Sequence, residues 1–418
     1  MKTAVLDIND CELRLWQGGE LILASPGFAL LQDAQYQFGQ SARAEARLHP
    51  RNINHRFWWQ LNTEPLQPSF GPGRHSADLV HGHLQSIFEQ GQRPQQIILA
   101  VPGNLSSEQL SLLLGIVGEC PFDIVGLVDR AVGAASTIPL ESQGLHLELQ
   151  LHQAVLTHLE LADGHIQRTA ATTIPGGGWL AIQDAIGNAI ADAFIRQTRF
   201  DPRRKADTEQ TLYDQLPKIL EQLDQRNEYD LELAGHRARL EYSQMAEACH
   251  NHCQRIVQSL PQASPQLLLD SRLALLPGLK QQLNAPQILA DNAAALAISK
   301  AEAAVLCEPS DIRFITRLPA TAQASPAPAR EPEPKPQPEP EQERVPEPEP
   351  EQELEPSRFS LEYRDGDYHF TPGTGSAPHI NGVAASAPVK LKVGDVVQVG
   401  DGPSLMIADP EQDDGSQA

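Results

Sequence analysis

Between Pro319 and Pro356 the chain is built largely of proline and glutamate, and this stretch limits what it can fold into more than any other feature. Residues 331–356 hold ten glutamates against Lys335 and Arg344 alone. Proline removes a backbone donor and holds φ at about −65°, while the like charges repel one another. No apolar pattern offsets the entropy of ordering, so the segment is an extended, solvated spacer. A plain tether is the simpler reading, ahead of a proline motif for a recognition domain. Folding therefore happens on either side of it. The expected organisation is a large domain over 1–318, a disordered linker over 319–357, a small β domain over 358–410 and an acidic tail over 411–418.

The large domain has a core to build. With 418 residues and 40% apolar content the chain can fill more than one domain. A formal charge of −22 repels nucleic acid and anionic lipid, so proteins are the expected partners. Five scattered cysteines (Cys11, Cys120, Cys249, Cys253, Cys307) do not form a disulfide framework. The opening MKTAVLDIND lacks the make-up of a signal peptide, and no apolar run is long enough to cross a membrane. A cytoplasmic location with free thiols is expected.

Ahead of the spacer, strand and helix patterns alternate. AVLDIND and CELRLWQGGELIL read as paired strands, and the segment ending in Val101-Pro102 as a buried one. Leu110, Leu113, Leu114 and Val117 have helical spacing, with Ser106 as N-cap and Gln109 three residues on. FDIVGLVD is a strand followed by the small-residue helix RAVGAAST; residues 145–174 alternate with period two, as a strand meander does. Helices are expected at about Trp179–Thr198 and Tyr242–Leu260. The whole is mixed α/β. Beyond the spacer the pattern is all β, broken by the turn pairs Asp365-Gly366, Asn381-Gly382, Gly394-Asp395 and Asp401-Gly402.

Six stretches occur in the order found in a known family. Val101-Pro102, Ser107, Gln109, Val128-Asp129 and Ala134-Ala135 carry the first of these. Gly176-Gly177-Gly178 after the meander, LELAGHRARLEYSQMAEACHNHCQRIVQSL, LLLDSRLALLPGLKQQL with Pro277-Gly278, and the alanine-rich ILADNAAALAISKAEA carry most of the rest. Together, residues 1–318 resemble the nucleotide-binding domain of the seventy-kilodalton heat-shock chaperones, in the actin superfamily. The resemblance implies a two-lobed, ribonuclease-H-like α/β fold and ATP or ADP with magnesium as cofactor. It makes Asp7 and Glu148 the candidate catalytic carboxylates, with Asp7 also the candidate metal ligand. Asn9, Asp10, Gln150, His152, Gly176, Gly177, Asp270 and Ser271 would line the cleft.

The phosphate loops depart from that pattern. Where the family places glycine and hydroxyl residues, this chain has Asp7-Ile8-Asn9-Asp10-Cys11, and Asp10 adds charge that repels phosphate. Leu147 to Ala154 carries a side chain at every position, and Asp270-Ser271-Arg272 stands where two glycines would meet the adenosine. These losses point to a pseudo-enzyme that binds proteins as a scaffold or adaptor. The alternatives are an active magnesium-dependent ATPase using Asp7 and Glu148, and a sugar kinase with Asp129 as base, although Asp129 reads more simply as a helix cap.

Other features have plainer readings. Cys249-His250-Asn251-His252-Cys253 resembles a metal cluster, but on a helix His250 points about 100° from the cysteine face, so core thiols are expected. His146, His152 and His158 are expected at the surface. Within Phe57-Trp58-Trp59, one ring should pack inside and another, with Trp58 the candidate, face a partner. The last domain resembles the second half of a forkhead-associated domain through His379 to Gly382 and Leu391 to Gly400. The family's phosphothreonine-reading arginine has no counterpart, so Asn381 and Gly382 imply a protein-binding module without phosphate recognition.

Overall fold

The computed structural model describes residues 3–262, 265–308 and 311–320, and beyond the spacer 359–364, 367–372, 378–380, 383–384, 389–392, 396–399 and 405–406. The chain divides into two units, Met1–Glu331 and Pro332–Ala418.

The larger unit is mixed α/β and contains two six-stranded sheets that share a five-strand plan, the sixth strand lying at opposite edges. In the first, Ala4–Asp7 lies between Leu13–Gln17, antiparallel, and Gln96–Val101, parallel. Glu20–Ser25 extends the antiparallel side; Asp123–Asp129 and then Phe314–Ile315 extend the parallel side. In the second, Gln143–Leu149 lies between Gln153–Ala162, antiparallel, and Gln266–Leu269, parallel. His165–Pro175 and Arg317–Pro319 extend one side, and Gln287–Ile288 the other. The strands Ala4–Asp7, Gln96–Val101 and Asp123–Asp129 are buried almost throughout, which is why they read as unbroken apolar runs.

Three apolar clusters follow from this plan. One packs the first sheet against the helices Ser76–Gln90 and Ser107–Gly118, another packs the second sheet against Trp179–Thr198, Ala206–Arg226 and Tyr242–Gln258. The third joins Val5, Ile98 and Val128 of the first sheet to Leu159, Ile166 and Leu268 of the second. The helices Arg130–Ala135 and Ala293–Lys300 meet in that shared core at Gly133, where an added Cβ would lie 3.3 Å from Ile298 Cδ1 and 3.5 Å from the Ala294 carbonyl. Glycine permits the close approach.

Local signals account for most boundaries. Ser106 Oγ accepts from the Gln109 amide and Gln109 Oε1 from the Ser106 amide, closing a capping box at Ser107–Gly118. Asp129 Oδ1 accepts from the amides of Ala131 and Val132, as expected of a cap. The helices Ser76–Gln90 and Ala206–Arg226 add to those read from sequence; Leu212, Leu216, Ile219, Leu220 and Leu223 supply the buried stripe of the second. Cys249 and Cys253 lie in the core while His250 is exposed.

The smaller unit has a three-stranded sheet (Phe359–Arg364, Asp367–Pro372, Val389–Leu391) and a four-stranded one (Val383–Ala384, Pro378–Ile380, Val396–Val399, Leu405–Met406). All described pairings in it are antiparallel. The expected linker begins too early, since Pro319 ends a strand paired with His165 and the Ala320 amide donates to the Gly164 carbonyl. Asn381, Gly382, the other turn pairs, residues 321–357 and the acidic tail lie outside the described residues. No helix among the described residues is long and apolar enough to cross a membrane.

Candidate functional site

Four acidic side chains gather at the carboxyl ends of the central strands, where open α/β sheets place their chemistry. Asp7 closes the first strand, Asp129 closes Asp123–Asp129, Glu148 is next to last in Gln143–Leu149, and Asp270 directly follows Gln266–Leu269. The Asp129 cap sets where the next helix begins, and its first residue, Arg130, lies among the other three.

The Arg130 guanidinium is nearly fully buried and uses its whole fork. Nε donates to Asp7 Oδ1 at 2.7 Å and Nη2 to Asp7 Oδ2 at 3.3 Å; Nη1 donates to Glu148 Oε2 at 2.6 Å and to Asp270 Oδ2 at 3.0 Å. His146 Nε2 meets Asp270 Oδ1 at 2.9 Å, and Gln150 Nε2 donates to Glu148 Oε1 at 3.0 Å. Burial works against the charge on Arg130, but Asp270, Asp7 and Glu148 outweigh it and hold its pKa raised. Asp270 also resists burial: Arg130 and His146 bring its pKa below the ordinary carboxylate value. For Glu148, burial prevails over the attraction of Arg130 and its pKa is raised. Three carboxyl groups thus share one guanidinium, and the neighbouring Asp270 adds to the effect of burial on Glu148.

The loops beside this cluster are knitted to each other. Asp10 Oδ1 accepts from the Leu151 amide at 2.7 Å, Asn9 Nδ2 donates to the Leu149 carbonyl at 3.0 Å, and Asn9 Oδ1 takes the Cys11 amide. The Gln150 amide is taken by the Gln153 carbonyl. Even the N-terminus of Trp179–Thr198 is engaged: Trp179 and Leu180 amides donate to the carbonyls of Gln150 and Leu151. Ser271 Oγ is bonded to Asp291 Oδ1. The cavity remaining among Asp7, Asn9, Arg130, Asp270 and Ser271 is about 30 Å³, room for water. A magnesium-bound triphosphate does not fit these residues: a guanidinium sits on both Asp7 and Glu148, and the Cys11, Gln150 and Leu151 amides are taken within the chain.

Burial pushes the Asp10 carboxyl up to about 7, against the Leu151 amide that favours its ionised form. A raised carboxyl pKa makes the folded state bind the proton more tightly than the unfolded one, whose value is 3.8. Its contribution to stability is therefore lost as pH rises from about 4 to about 7. Asp10→Asn keeps an acceptor for Leu151 and removes the buried charge. The variant should gain on the order of 2 kcal/mol over wild type at pH about 8 and little at pH about 5. Urea unfolding across that range is the measurement, and parallel wild-type and variant profiles would refute it.

Several sequence expectations meet different surroundings. His146 is fully buried, not at the surface, because its ring pairs with Asp270. His152 is turned from the carboxylates: its Nε2 meets His55 Nδ1 at 3.1 Å and Trp59 stacks on its ring at 4.6 Å. Gly176 and Gly177 are not brought to the cluster; the Gly176 carbonyl accepts from Arg255 Nη1 and pairs with His252 Nδ1. The close approach falls on Gly178 instead, packed on the backbone of His152 and Gln153. Trp58 does not face outward. It is buried, and its Nε1 donates to His83 Nδ1, so the exposed ring of the trio is Trp59. Arg130 is the residue that sequence reasoning passed over. Its signal was a lone charge beginning a helix otherwise made of small residues, directly after a strand-terminal Asp129.

No protein-family model matches the chain, and no curated protein matches it.

Proposed function

We propose that this chain is a non-catalytic relative of the actin and heat-shock-chaperone fold, working as a protein-binding scaffold. Support for the fold comes from a five-strand order common to the two sheets, with a helix from each half crossing at Gly133. The observation that carries the function is Arg130. A nucleotide-driven clamp needs a removable cation and removable phosphates between its lobes; here the cation is part of the chain and ties Asp7 of the first sheet to Glu148 and Asp270 of the second. Such a body is held in one state. The forkhead-associated-like β module, tethered by the acidic spacer, adds a second binding unit for a shared protein partner at high effective concentration.

Titration calorimetry with magnesium-ATP and magnesium-ADP, paired with a phosphate-release assay, tests this reading. Neither binding at micromolar affinity nor turnover is expected. Micromolar binding together with hydrolysis that Asp7→Asn abolishes would replace it with an active ATPase.

A further inference from the structure

A second cavity, of about 560 Å³, opens beside the carboxylate cluster. Its size is that of a small-molecule site. Phe28, Trp179, Leu220 and Leu275 contribute apolar wall, and Arg43 and Arg272 contribute guanidinium groups. The charges around it are mostly matched. Arg14 Nε pairs with Glu12 Oε2 at 2.8 Å, Arg272 Nη2 with the same oxygen at 3.3 Å, and Lys280 Nζ with Asp224 at 2.8 Å. Arg43 differs. Its half-buried guanidinium has neither an ion pair nor a hydrogen bond among the described residues. Burial lowers its pKa and the neighbouring Arg272 adds to that, while Asp214 and Glu12 oppose it from beyond ion-pair distance.

We propose that this cavity binds a small organic monoanion, a carboxylate on a compact apolar body, with Arg43 receiving the head group. Arg43 is the one cation of this wall without an ion pair among the described residues, and it is there that a single negative head group would find its partner. A polyanion would meet Glu12, Asp291 and, on the exposed side, Glu221. The planar guanidinium offers two parallel donors to a carboxylate, and the apolar wall takes the rest of the molecule. The wall draws on residues near the start of the chain and on the helices Trp179–Thr198 and Ala206–Arg226, so an occupant ties segments distant in sequence. This goes beyond the scaffold reading and does not depend on whether hydrolysis is lost.

The test uses the full chain and two probes of one shape, naphthalene carboxylate and the neutral naphthylmethanol, in titration calorimetry. The carboxylate should bind wild type about tenfold or more tighter than the alcohol, as a charge-assisted bond implies. Arg43→Gln should remove that preference and leave the alcohol's affinity unchanged; Arg43→Lys should keep part of it. Equal affinities for the two probes in wild type, no binding of either, or a preference that survives in a folded Arg43→Gln protein would each overturn the proposal. Should the glutamine variant unfold, the wild-type comparison and Arg43→Lys still decide: a lysine variant with no loss of preference also counts against it.

Discussion

Replacing Arg130 with alanine will destabilise the larger unit by about 3–5 kcal/mol, because three buried carboxylates then face one another without a cation. The size follows from what is left behind more than from the bonds removed. Asp7 takes Nε and Nη2 of one guanidinium, Glu148 and Asp270 share its Nη1, with closest distances of 2.6–3.0 Å, and the cavity among them is only about 30 Å³. Desolvated carboxylates respond by taking up protons, so the variant's deficit should shrink as pH falls. A second expectation separates charge from shape. Magnesium or manganese, hard cations with oxygen ligands, should restore part of the stability of the alanine variant and do nothing for wild type. Urea unfolding with and without the metal gives both answers. A variant with the wild-type midpoint would show that the guanidinium is dispensable, and equal metal effects on the two proteins would remove the idea that Arg130 stands in for an ion.

Gly178→Ala should be about as damaging, at roughly 3 kcal/mol, for a reason that has no electrostatics in it. A Cβ there would lie 2.1 Å from the His152 carbonyl carbon and 2.3 Å from the Gln153 nitrogen. Both are backbone, so neither can swing aside. The φ of Gly178 is −84°, which alanine adopts freely, so the cost is contact alone. Moving the helix away would break the bonds from Trp179 and Leu180 to the turn at Gln150–Leu151. Gly164→Ala is the control. Its φ is +72° with nothing within 4 Å, so backbone strain of about 1 kcal/mol is all it should show. Thermal unfolding of the two variants, with Gly164→Ala the more damaging, would defeat the steric account.

Much of the frame was legible before any coordinates. The buried strands were long apolar runs, the meander alternated with period two, and Ser106 with Gln109 marked a helix start by residue type alone. Those signals are local: each depends on neighbours within a few positions, so the chain carries them openly. Asp129 as a cap belongs with them, since a carboxylate ahead of a helix finds its amide partners two and three residues on.

The site was not legible in the same way. Asp7 and Glu148 were singled out, but as ligands for a metal; that their cation is Arg130 depends on a side chain 123 positions from Asp7. Asp10 was expected to repel phosphate, and the fold instead sets it on the Leu151 amide, 141 positions away. Trp58 and Trp59 are adjacent and chemically alike, and only the seat of His83 beneath Trp58 settles which one is covered. Arg43 carries no motif at all.

Residue order alone determined that a Pro/Glu-rich stretch follows an α/β body, and that Asn9–Cys11, Gln150–Gln153 and Asp270–Arg272 carry no glycine. Only the folded arrangement decided what those loops do. Burial turns a charge into a demand for a partner, and which partner answers depends on which distant strands end side by side.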